Sequence, residues 1–504
     1  MARSAATHPP PVIARSDATQ QSGSELCPNS WYATRPRLLS RFIPRNDGCL
    51  GGPGHDRSAP TSCDFAPATT ALLALGTVLV LLVALGLVIL MWRSLPLAPL
   101  PRSQLFTATQ CLAGLIWLGA VALVRRHAFP PRTVWLVLAA AAIMRVMTFA
   151  APPLLSTDIY RYVWDGRVQR AGINPYRYLP DAPQLAFLRD QAVFPNINRA
   201  DYAPTIYPPT AEALFALAGR IAPGVHGMKA VMAAFDILAI AALLRLLTLA
   251  GRDPTQVLIY AWLPLPVWEF AGNGHIDAVA SGLLALALLI AATGSAARTG
   301  VVLAAATLTK FLPGVVLPAF WRPWNWRMAI ALLVTLAAFY APYLGVGWRV
   351  FGFLGGYVHE EYPAHGGGIF LLQVIDRMIP LPPWAAKAYA AIVLALLAAL
   401  AIRFVSASPL PADPATRAAM QARQAAILGA VLLVAISPHY PWYFAWLAPL
   451  ACLAPLLCVA WLLIAAPLLS HDPVDYLSLA ALIYLPAALL AVLDLRRARR
   501  RSLP

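Results

Sequence analysis

The stretch ATTALLALGTVLVLLVALGLVILMW, residues 68–92, decides the fold class of this chain. It carries no charged side chain, and about 20 apolar residues in a helix are enough to cross a bilayer. Further apolar runs follow along the 504 residues, of which 60% are hydrophobic and 12% charged. A soluble core would not need so many runs of this length. We therefore predict an all-α polytopic membrane protein.

Twelve apolar runs are candidate membrane spans, and with one interrupted segment they predict a bundle of about 12–14 transmembrane helices. An even number of crossings would leave both ends of the chain on one side. The runs lie near residues 68–92, 105–124, 133–151, 229–249, 255–271, 276–293, 327–346, 384–405, 424–436, 443–454, 456–469 and 477–495.

Basic residues predict the orientation. Arginine clusters lie between alternate runs, and RRARRR at 496–501 follows the last one, so the positive-inside rule places them in the cytoplasm. This pattern accounts for the net charge of +16 without a nucleic-acid partner. We expect a bacterial inner-membrane protein in which five loops open to the periplasm or exterior: 152–228, 272–275, 347–383, 437–442 and 470–476.

The two ends of the chain differ from its middle. Residues 1–66 are rich in Pro, Ser, Gly and Arg, so we expect a disordered tail. Two pieces of it, VIARSDATQQS and RPRLLSRFIPRNDG, resemble translated repeats found between bacterial genes, and our hypothesis is a native start near residue 64. Residues 67–495 form the predicted transmembrane domain, which includes the external loop 152–228. Residues 496–504 form a basic cytoplasmic tail.

One apolar segment contains a lysine. GVVLAAATLTKFLPGVVLPAFW, residues 300–321, is flanked by arginines, so both of its ends look cytoplasmic. A lone ammonium in hydrocarbon is costly, and Pro313 disfavours an unbroken helix. We predict two half-helices with a break at Lys310, which places the amine in a protein-lined cavity. The alternative is a lysine that snorkels to the interface beside a kinked span.

Charged and aromatic side chains are concentrated in STDIYRYVWDGRVQRAGINPYRYLPDAP, residues 156–183. Turn and capping residues on both sides predict a helix over about 157–171. We expect an amphipathic helix at the membrane surface, with aromatic rings at headgroup level and a carboxylate-bearing face toward a cleft. That face combines Asp158, Tyr162, Asp165 and Gln169.

Asp158 lies in the first turn of this helix, directly after a predicted span end. The helix dipole favours the ionised carboxylate there, at some loss of basicity. The alternative is an interfacial helix whose charges only meet water, which explains the aromatic residues but not the position of Asp158.

Polar residues at other external span ends have two possible roles. His275 and Asp277 are spaced too closely to share one helix face, so they either do separate jobs at a site or form a polar cap. His439, between two prolines in SPHYPWY, has the same two explanations.

Five motifs together resemble the GT-C superfamily of integral-membrane glycosyltransferases, and most of all bacterial family 87 enzymes and polyprenol-phosphomannose-dependent mannosyltransferases. The likeness covers about residues 68–495. The motifs are TDIYRYVWDGRVQRAGINPYRY at 157–178, INRADYAPTIYPPTAEALFAL at 197–217, NGHIDAVASG at 273–282, LTKFLPGVVLP at 308–318 and SPHYPWYFAWLAPL at 437–450.

The resemblance implies transfer of a hexose, mannose by this likeness, from a polyprenyl-phosphate donor to a glycan or glycolipid acceptor, with inversion at the donor sugar. Asp158 matches the loop aspartate of the family and would take the acceptor proton. Lys310 suits the donor phosphate as a point charge, and Arg161, Arg167 or Arg170 could approach it from the loop side. Tyr162, Asp165, His275, Asp277 and His439 complete the predicted substrate-binding residues.

The resemblance favours a reaction without a metal or other cofactor, although five side chains could supply ligands on the outer face: Asp158, Asp165, His275, Asp277 and Glu360. Two other functions compete. A secondary transporter would also have many spans and intramembrane charge, but it usually shows two similar halves, and none are visible here. A polymerase or ligase of lipid-linked glycans would share the polyprenyl chemistry and the outward site.

Overall fold

A computed structural model describes residues 62–91, 101–361, 368–407, 409–470 and 476–502, and every structural statement below concerns these residues. They form helices joined by turns and loops, with no strand among them, so the predicted all-α class is confirmed. The first half of the chain contains α1 Ser62–Met91, α2 Arg102–Arg126, α3 Thr133–Ala150, α4 Asp158–Arg170, α5 Pro209–Ile221 and α6 Val225–Leu249.

The second half alternates long and short helices. Its first helices are α7 Leu258–Ala261, α8 Pro264–Pro266, α9 Asp277–Ala292, α10 Ala296–Lys310, α11 Leu317–Phe320, α12 Trp326–Tyr340 and α13 Leu354–Glu361. They are followed by α14 Phe370–Met378, α15 Ala385–Val405, α16 Pro414–Ile436, α17 Trp442–Ala445, α18 Ala448–Leu453, α19 Leu457–Ala465 and α20 Tyr476–Ser502.

Short non-α turns join several of these helices. A π-helical turn covers Val267–Gly272. The 3₁₀ turns are Pro183–Leu188, Phe194–Asn196, Pro254–Val257, Leu312–Val316, Ala341–Phe351 and Ala466–Ser470.

Eight helical segments among the described residues are long and apolar enough to cross a membrane. Two shorter apolar segments, Asp277–Ala292 and Leu457–Ser470, accompany them, which makes the chain a multi-pass membrane protein. The eight are Ala66–Met91, Arg102–Arg126, Thr133–Ala150, Val225–Leu249, Trp326–Glu361, Ala385–Val405, Pro414–Ile436 and Tyr476–Arg499.

Two apolar runs that we predicted as spans, 255–271 and 443–454, are not continuous helices. The first is divided into short turns at Pro264 and Pro266, and the second is divided into α17 and α18, with Pro449 in the first turn of α18. Most residues of both runs are fully buried. Burial in the protein core selects apolar residues as strongly as lipid does, so hydropathy alone could not separate the two cases.

The predicted ends of the domain lie elsewhere in the structure. Residues 1–61 of the expected tail are outside the described residues, whereas the last five residues before position 67 already belong to α1. The basic stretch after residue 495 continues α20 as far as Ser502.

Helix α4, predicted over 157–171, is confirmed at Asp158–Arg170. Its environment is not the expected membrane surface, because most of its side chains are buried against α5 and the loop that follows α4. The helices approach closely at two glycines: a Cβ atom on Gly166 would lie 2.3 Å from the backbone oxygen of Phe215, and one on Gly219 would lie 2.7 Å from the oxygen of Gly166.

We expect Gly166→Ala to destabilise the protein by about 1–3 kcal/mol, because the added methyl group meets backbone that cannot move aside alone. The thermal unfolding midpoint of the detergent-solubilised protein measures the effect. Gly119→Ala is the matched control: no atom lies within 4 Å of a Cβ there, so an alanine in α2 should leave or slightly raise the midpoint. Equal midpoints for the two variants would contradict the close helix contact.

Two buried cations connect α3, the helix that precedes α4, to α6. Arg145 of α3 pairs with Asp236 of α6 at 2.6 Å, and the Tyr260 hydroxyl donates to the same carboxylate at 2.7 Å. Lys229 of α6 donates to the backbone oxygens of Phe149 at 3.2 Å and Ala151 at 2.5 Å, where α3 ends. A lysine bound to the last carbonyl groups of a helix fixes the direction of the chain that follows, here toward Asp158.

Candidate active site

A cavity of about 980 Å³ lies at the N-terminal end of α4. Its walls come from three of the predicted external loops, 152–228, 347–383 and 437–442, and from the chain around Lys310. The residues used below that line it are Asp158, Arg161, Asn198, Arg199, Tyr207, Lys310, Tyr357, Tyr440, Trp442 and Tyr443. Loops that we predicted to share one side of the membrane therefore meet around one space.

Asp158 is the first residue of α4 and lines this cavity. Its backbone N–H donates to Oγ of Ser156 at 3.2 Å, which anchors the start of the helix. The Asn198 side-chain amide donates to Oδ1 at 3.1 Å, and Nδ1 of His275 lies 3.7 Å from Oδ2. Asn198 thus hydrogen bonds to the carboxyl and His275 lies beside it, and the side chain keeps 21% exposure, so it can meet a ligand in the cavity.

Burial raises the pKa of the Asp158 carboxyl above its ordinary value, while Lys310 and the hydrogen bond from Asn198 act in the opposite direction. The expectation of reduced basicity was wrong, because loss of water around the carboxylate outweighs the first-turn position. A raised pKa makes Asp158 a stronger base than a solvated aspartate.

Lys310 is the last residue of α10, and Phe311 after it has a φ of +62°. The predicted break at Lys310 is confirmed. The ammonium lies 2.9 Å and 3.2 Å from the two carboxylate oxygens of Asp277 and 3.8 Å from the ring centroid of Tyr443. Asp277 is fully buried, while Lys310 lines the cavity, so the pair presents its cationic member to a ligand.

His275 lies directly behind the cavity wall. Its ring stacks on Trp442, with 3.9 Å between ring centroids, and only 1% of its side chain is exposed. One nitrogen faces Asp158, and the other lies 3.4 Å from Oε2 of Glu269. His275 and Asp277 thus have different partners, as their spacing indicated.

Tyr162 and Asp165 do not line the cavity, contrary to the cleft-facing helix side that we expected. The Tyr162 ring stacks on Phe215, and Asp165 pairs with Arg161 at 3.1 Å. Burying a carboxylate requires a partner, and Arg161 one turn earlier supplies it. Arg161 itself borders the cavity, although Asp165 and the backbone oxygen of Ala203 occupy its guanidinium.

Three other predicted residues lie away from the cavity wall. Arg167 pairs with Asp190 at 2.7 Å, and hydrogen bonding to Arg167 lowers the pKa of that carboxyl to about 2. Arg170 borders a separate cavity of about 50 Å³. His439 lies 3.1 Å from Glu361 and from the backbone oxygen of Gly368.

Several cavity residues were absent from the sequence prediction of the site. Arg199 pairs with Glu360 at 2.8 Å and reaches Glu361 at 3.7 Å, which joins loops far apart in sequence. The rings of Tyr440 and Trp442 stack with 4.7 Å between centroids, and Tyr357 hydrogen bonds to Tyr443. Arg199 lies in the motif INRADYAP, and Tyr440, Trp442 and Tyr443 lie in SPHYPWY, but neither motif indicated which side chains face the cavity.

A metal site is not formed by the described residues: no group of three or more His, Cys, Asp or Glu side chains is placed to hold an ion. Of the five possible ligands named from the sequence, Asp165 is paired with Arg161 and Glu360 with Arg199.

The described residues thus form a multi-pass helical bundle in which Asp158, Lys310 and several aromatic rings line one cavity. The family model for the N-terminal domain of alpha-(1→6)-mannopyranosyltransferases, the MptA/MptB family, matches residues 68–325, just over half of the chain. The chain belongs to this family, which confirms the resemblance drawn from the motifs.

One relative is alpha-(1→6)-mannopyranosyltransferase A of Mycobacterium tuberculosis H37Rv, with 24% identity over 257 residues. The match covers 46% of this chain and 49% of the relative, so the chain spans about half the length of that protein. No solved structure matches the chain significantly.

Proposed function

We propose that this protein transfers a mannosyl group from a polyprenyl-monophosphate donor to a hydroxyl group of a glycan or glycolipid. The reaction would take place in the cavity at the N-terminal end of α4, on the external face of the bacterial inner membrane. The observation that carries the proposal is the position of Asp158 and Lys310 on the wall of one cavity. Asp158 supplies a base for the acceptor hydroxyl and Lys310 a cation for the leaving phosphate, the two groups that such a transfer needs.

In the proposed step, the acceptor hydroxyl gives its proton to Asp158 and its oxygen attacks the anomeric carbon of the donor sugar. The bond from that carbon to the phosphate oxygen breaks, and the electron pair leaves with the phosphate. A single displacement of this kind inverts the anomeric configuration. Lys310 offsets the charge that develops on the leaving phosphate, so the proposal needs neither a second catalytic acid nor a metal.

The aromatic residues suit the binding of sugar rings. Tyr440 and Tyr443 are partly exposed beside the buried Trp442, so this wall offers aromatic rings and hydroxyl groups. We propose that acceptor and donor sugars pack on this wall while the polyprenyl chain stays in the bilayer. Apolar ring faces against C–H groups with hydrogen bonds at the edges are a usual way to bind sugars in a cavity.

Purified protein incubated with polyprenyl-monophosphate mannose and a mannose-containing glycolipid tests this function. We expect an extended acceptor with this donor and none with a nucleotide sugar. Joining of preformed glycans from a diphosphate-linked lipid would favour the polymerase or ligase alternative. Flux of substrate into proteoliposomes without any transfer would favour a transporter.

The proposed orientation predicts which cysteine variants react with a membrane-impermeant maleimide in spheroplasts. Tyr202 is 49% exposed within loop 152–228, and Thr293 is exposed at the turn between α9 and α10. We expect Tyr202→Cys to be labelled in intact spheroplasts and Thr293→Cys only after lysis, with the parental protein as background. The reverse pattern would place the cavity on the cytoplasmic side.

A further inference from the structure

We propose that His275 is a positioning residue for Asp158 and that Glu269 holds it in this role: the imidazole donates from Nδ1 to the Asp158 carboxylate and accepts at Nε2 from a neutral Glu269 carboxyl group. This inference rests on the proposed function, in which Asp158 takes the acceptor proton. It replaces the substrate contact that the sequence predicted for His275, and it adds Glu269 to the site.

The placement of the His275 ring carries the proposal. Its Nδ1 lies 3.7 Å from Oδ2 of Asp158, and its Nε2 lies 3.4 Å from Oε2 of Glu269. Both nitrogens are buried, and neither has a hydrogen-bond partner among the described residues. A buried polar atom without a hydrogen-bond partner lowers the stability of a protein by about 1–3 kcal/mol. Catalytic hydrogen bonds are often long before substrate binds, so a small closure would satisfy both nitrogens.

The backbone around His275 is built to hold the ring there. Gly274 has a φ of +73°, and a Cβ on it would lie 2.4 Å from Cδ1 of Ile159, the residue after Asp158. The backbone N–H of His275 donates to the backbone oxygen of Glu269 at 2.8 Å. The turn therefore packs directly against the first turn of α4, and the ring on the other side meets Trp442 of the cavity wall.

The surroundings of Glu269 favour its neutral form. The carboxyl is buried and accepts one hydrogen bond, from the Asn273 amide at 3.0 Å, and no lysine or arginine forms an ion pair with it in the described part of the chain. A carboxylate buried without a cationic partner is strongly disfavoured. A neutral carboxyl has one O–H to donate and a neutral imidazole one N–H, so the chain of hydrogen bonds ends on Asp158.

Glu269 and His275 are then neutral, and Asp158 carries the negative charge on the carboxylate that receives the acceptor proton. Loss of the hydrogen-bond donor of His275 should destabilise the ionised form of Asp158 and raise the pKa of Asp158 further. Other ionisable groups that act on or respond to Asp158 stay in place: Lys310, Arg199, Asp277, Glu269, Tyr162, Tyr207, Tyr357 and Tyr440.

The pH profile of mannosyl transfer in the full-length protein tests the proposal. We expect His275→Leu to lower kcat about 10- to 100-fold, as misplacement of a catalytic group does, with little change in the KM for polyprenyl-monophosphate mannose. The acid limb of kcat/KM should move to higher pH. Glu269→Leu should act in the same way, whereas Glu269→Gln keeps a donor toward Nε2 and should retain most of the activity that Glu269→Leu loses.

Two results would overturn the proposal. If Glu269→Gln is folded but as impaired as Glu269→Leu, Glu269 acts as a carboxylate rather than as a donor. If His275→Leu raises the donor KM while kcat and the acid limb stay unchanged, His275 is a substrate contact. If the leucine variants fail to fold, the Glu269→Gln variant still tests the proposal: a folded but inactive Glu269→Gln protein would contradict it. Full activity of an Asp158→Asn variant would instead refute the proposed function itself, which keeps the two failures apart.

Discussion

Replacing Asp158 by asparagine is expected to lower mannosyl transfer by about 10²- to 10⁴-fold, the contribution typical of a general base. Asparagine keeps the size of the side chain and an oxygen that can accept the hydrogen bond from Asn198, so the start of α4 should remain intact. Only the capacity to take a proton is lost. Initial rates of transfer with purified protein, at saturating donor and acceptor, measure the effect.

The same base predicts the pH dependence of the parental protein. Because burial raises the pKa of Asp158, the ionised fraction falls as the pH is lowered through a value above that of an ordinary aspartate. Transfer should therefore weaken on the acid side and recover as the pH rises. The residual transfer rate of the Asp158→Asn protein should not show this decrease at acid pH.

Asp165→Asn is the matched control, since it removes a carboxylate from the same helix. Asp165 is buried beside Arg161 and does not line the cavity, so its loss should reduce stability while transfer remains measurable. Donor binding by the Asp158→Asn protein, measured with labelled lipid, should equal that of the parent. Transfer at the parental rate by this variant would show that another group takes the proton.

The sequence was sufficient to predict the features that depend on local chemistry. Prolines, glycines and capping residues marked the ends of α4 and the break at Lys310, because backbone preferences act within a few residues. Apolar runs identified most of the long helices. Three loops that the arginine clusters placed on one side of the membrane line the same cavity.

Side-chain partners could not be predicted in the same way. Helical periodicity placed Asp158 and Asp165 on one face, but α5 packs on α4 near Asp165 and leaves only its first turn open to the cavity. Glu269 gave no signal because it lies within an apolar run that we predicted as a plain span. Contacts such as Arg199 with Glu360 join loops 161 residues apart, and such pairs are settled by tertiary packing.

Replacing Lys310 by methionine is expected to weaken use of the lipid donor by roughly 30- to several-thousand-fold in kcat/KM, which corresponds to about 2–5 kcal/mol for one partner of a buried charge pair. The ammonium lines the cavity, and Asp277 accepts from it through both carboxylate oxygens. An ammonium group has three donors, so one can still reach a phosphate oxygen. Methionine keeps most of the length of the unbranched side chain but supplies neither the charge nor the cation–π contact with Tyr443. Transfer rates over a range of donor concentrations measure the loss.

This substitution also leaves Asp277 buried without its cation, which alone can unfold a protein. The double variant Lys310→Met with Asp277→Asn removes both charges and separates the two effects. We expect it to recover the thermal midpoint of the parent but not the use of the donor, because the phosphate still lacks its cation. Lys310→Arg should retain part of the activity, since it keeps the charge with a different geometry. If the double variant regains both stability and transfer, Lys310 serves only to neutralise Asp277, and the donor phosphate must be bound by another cation of the cavity.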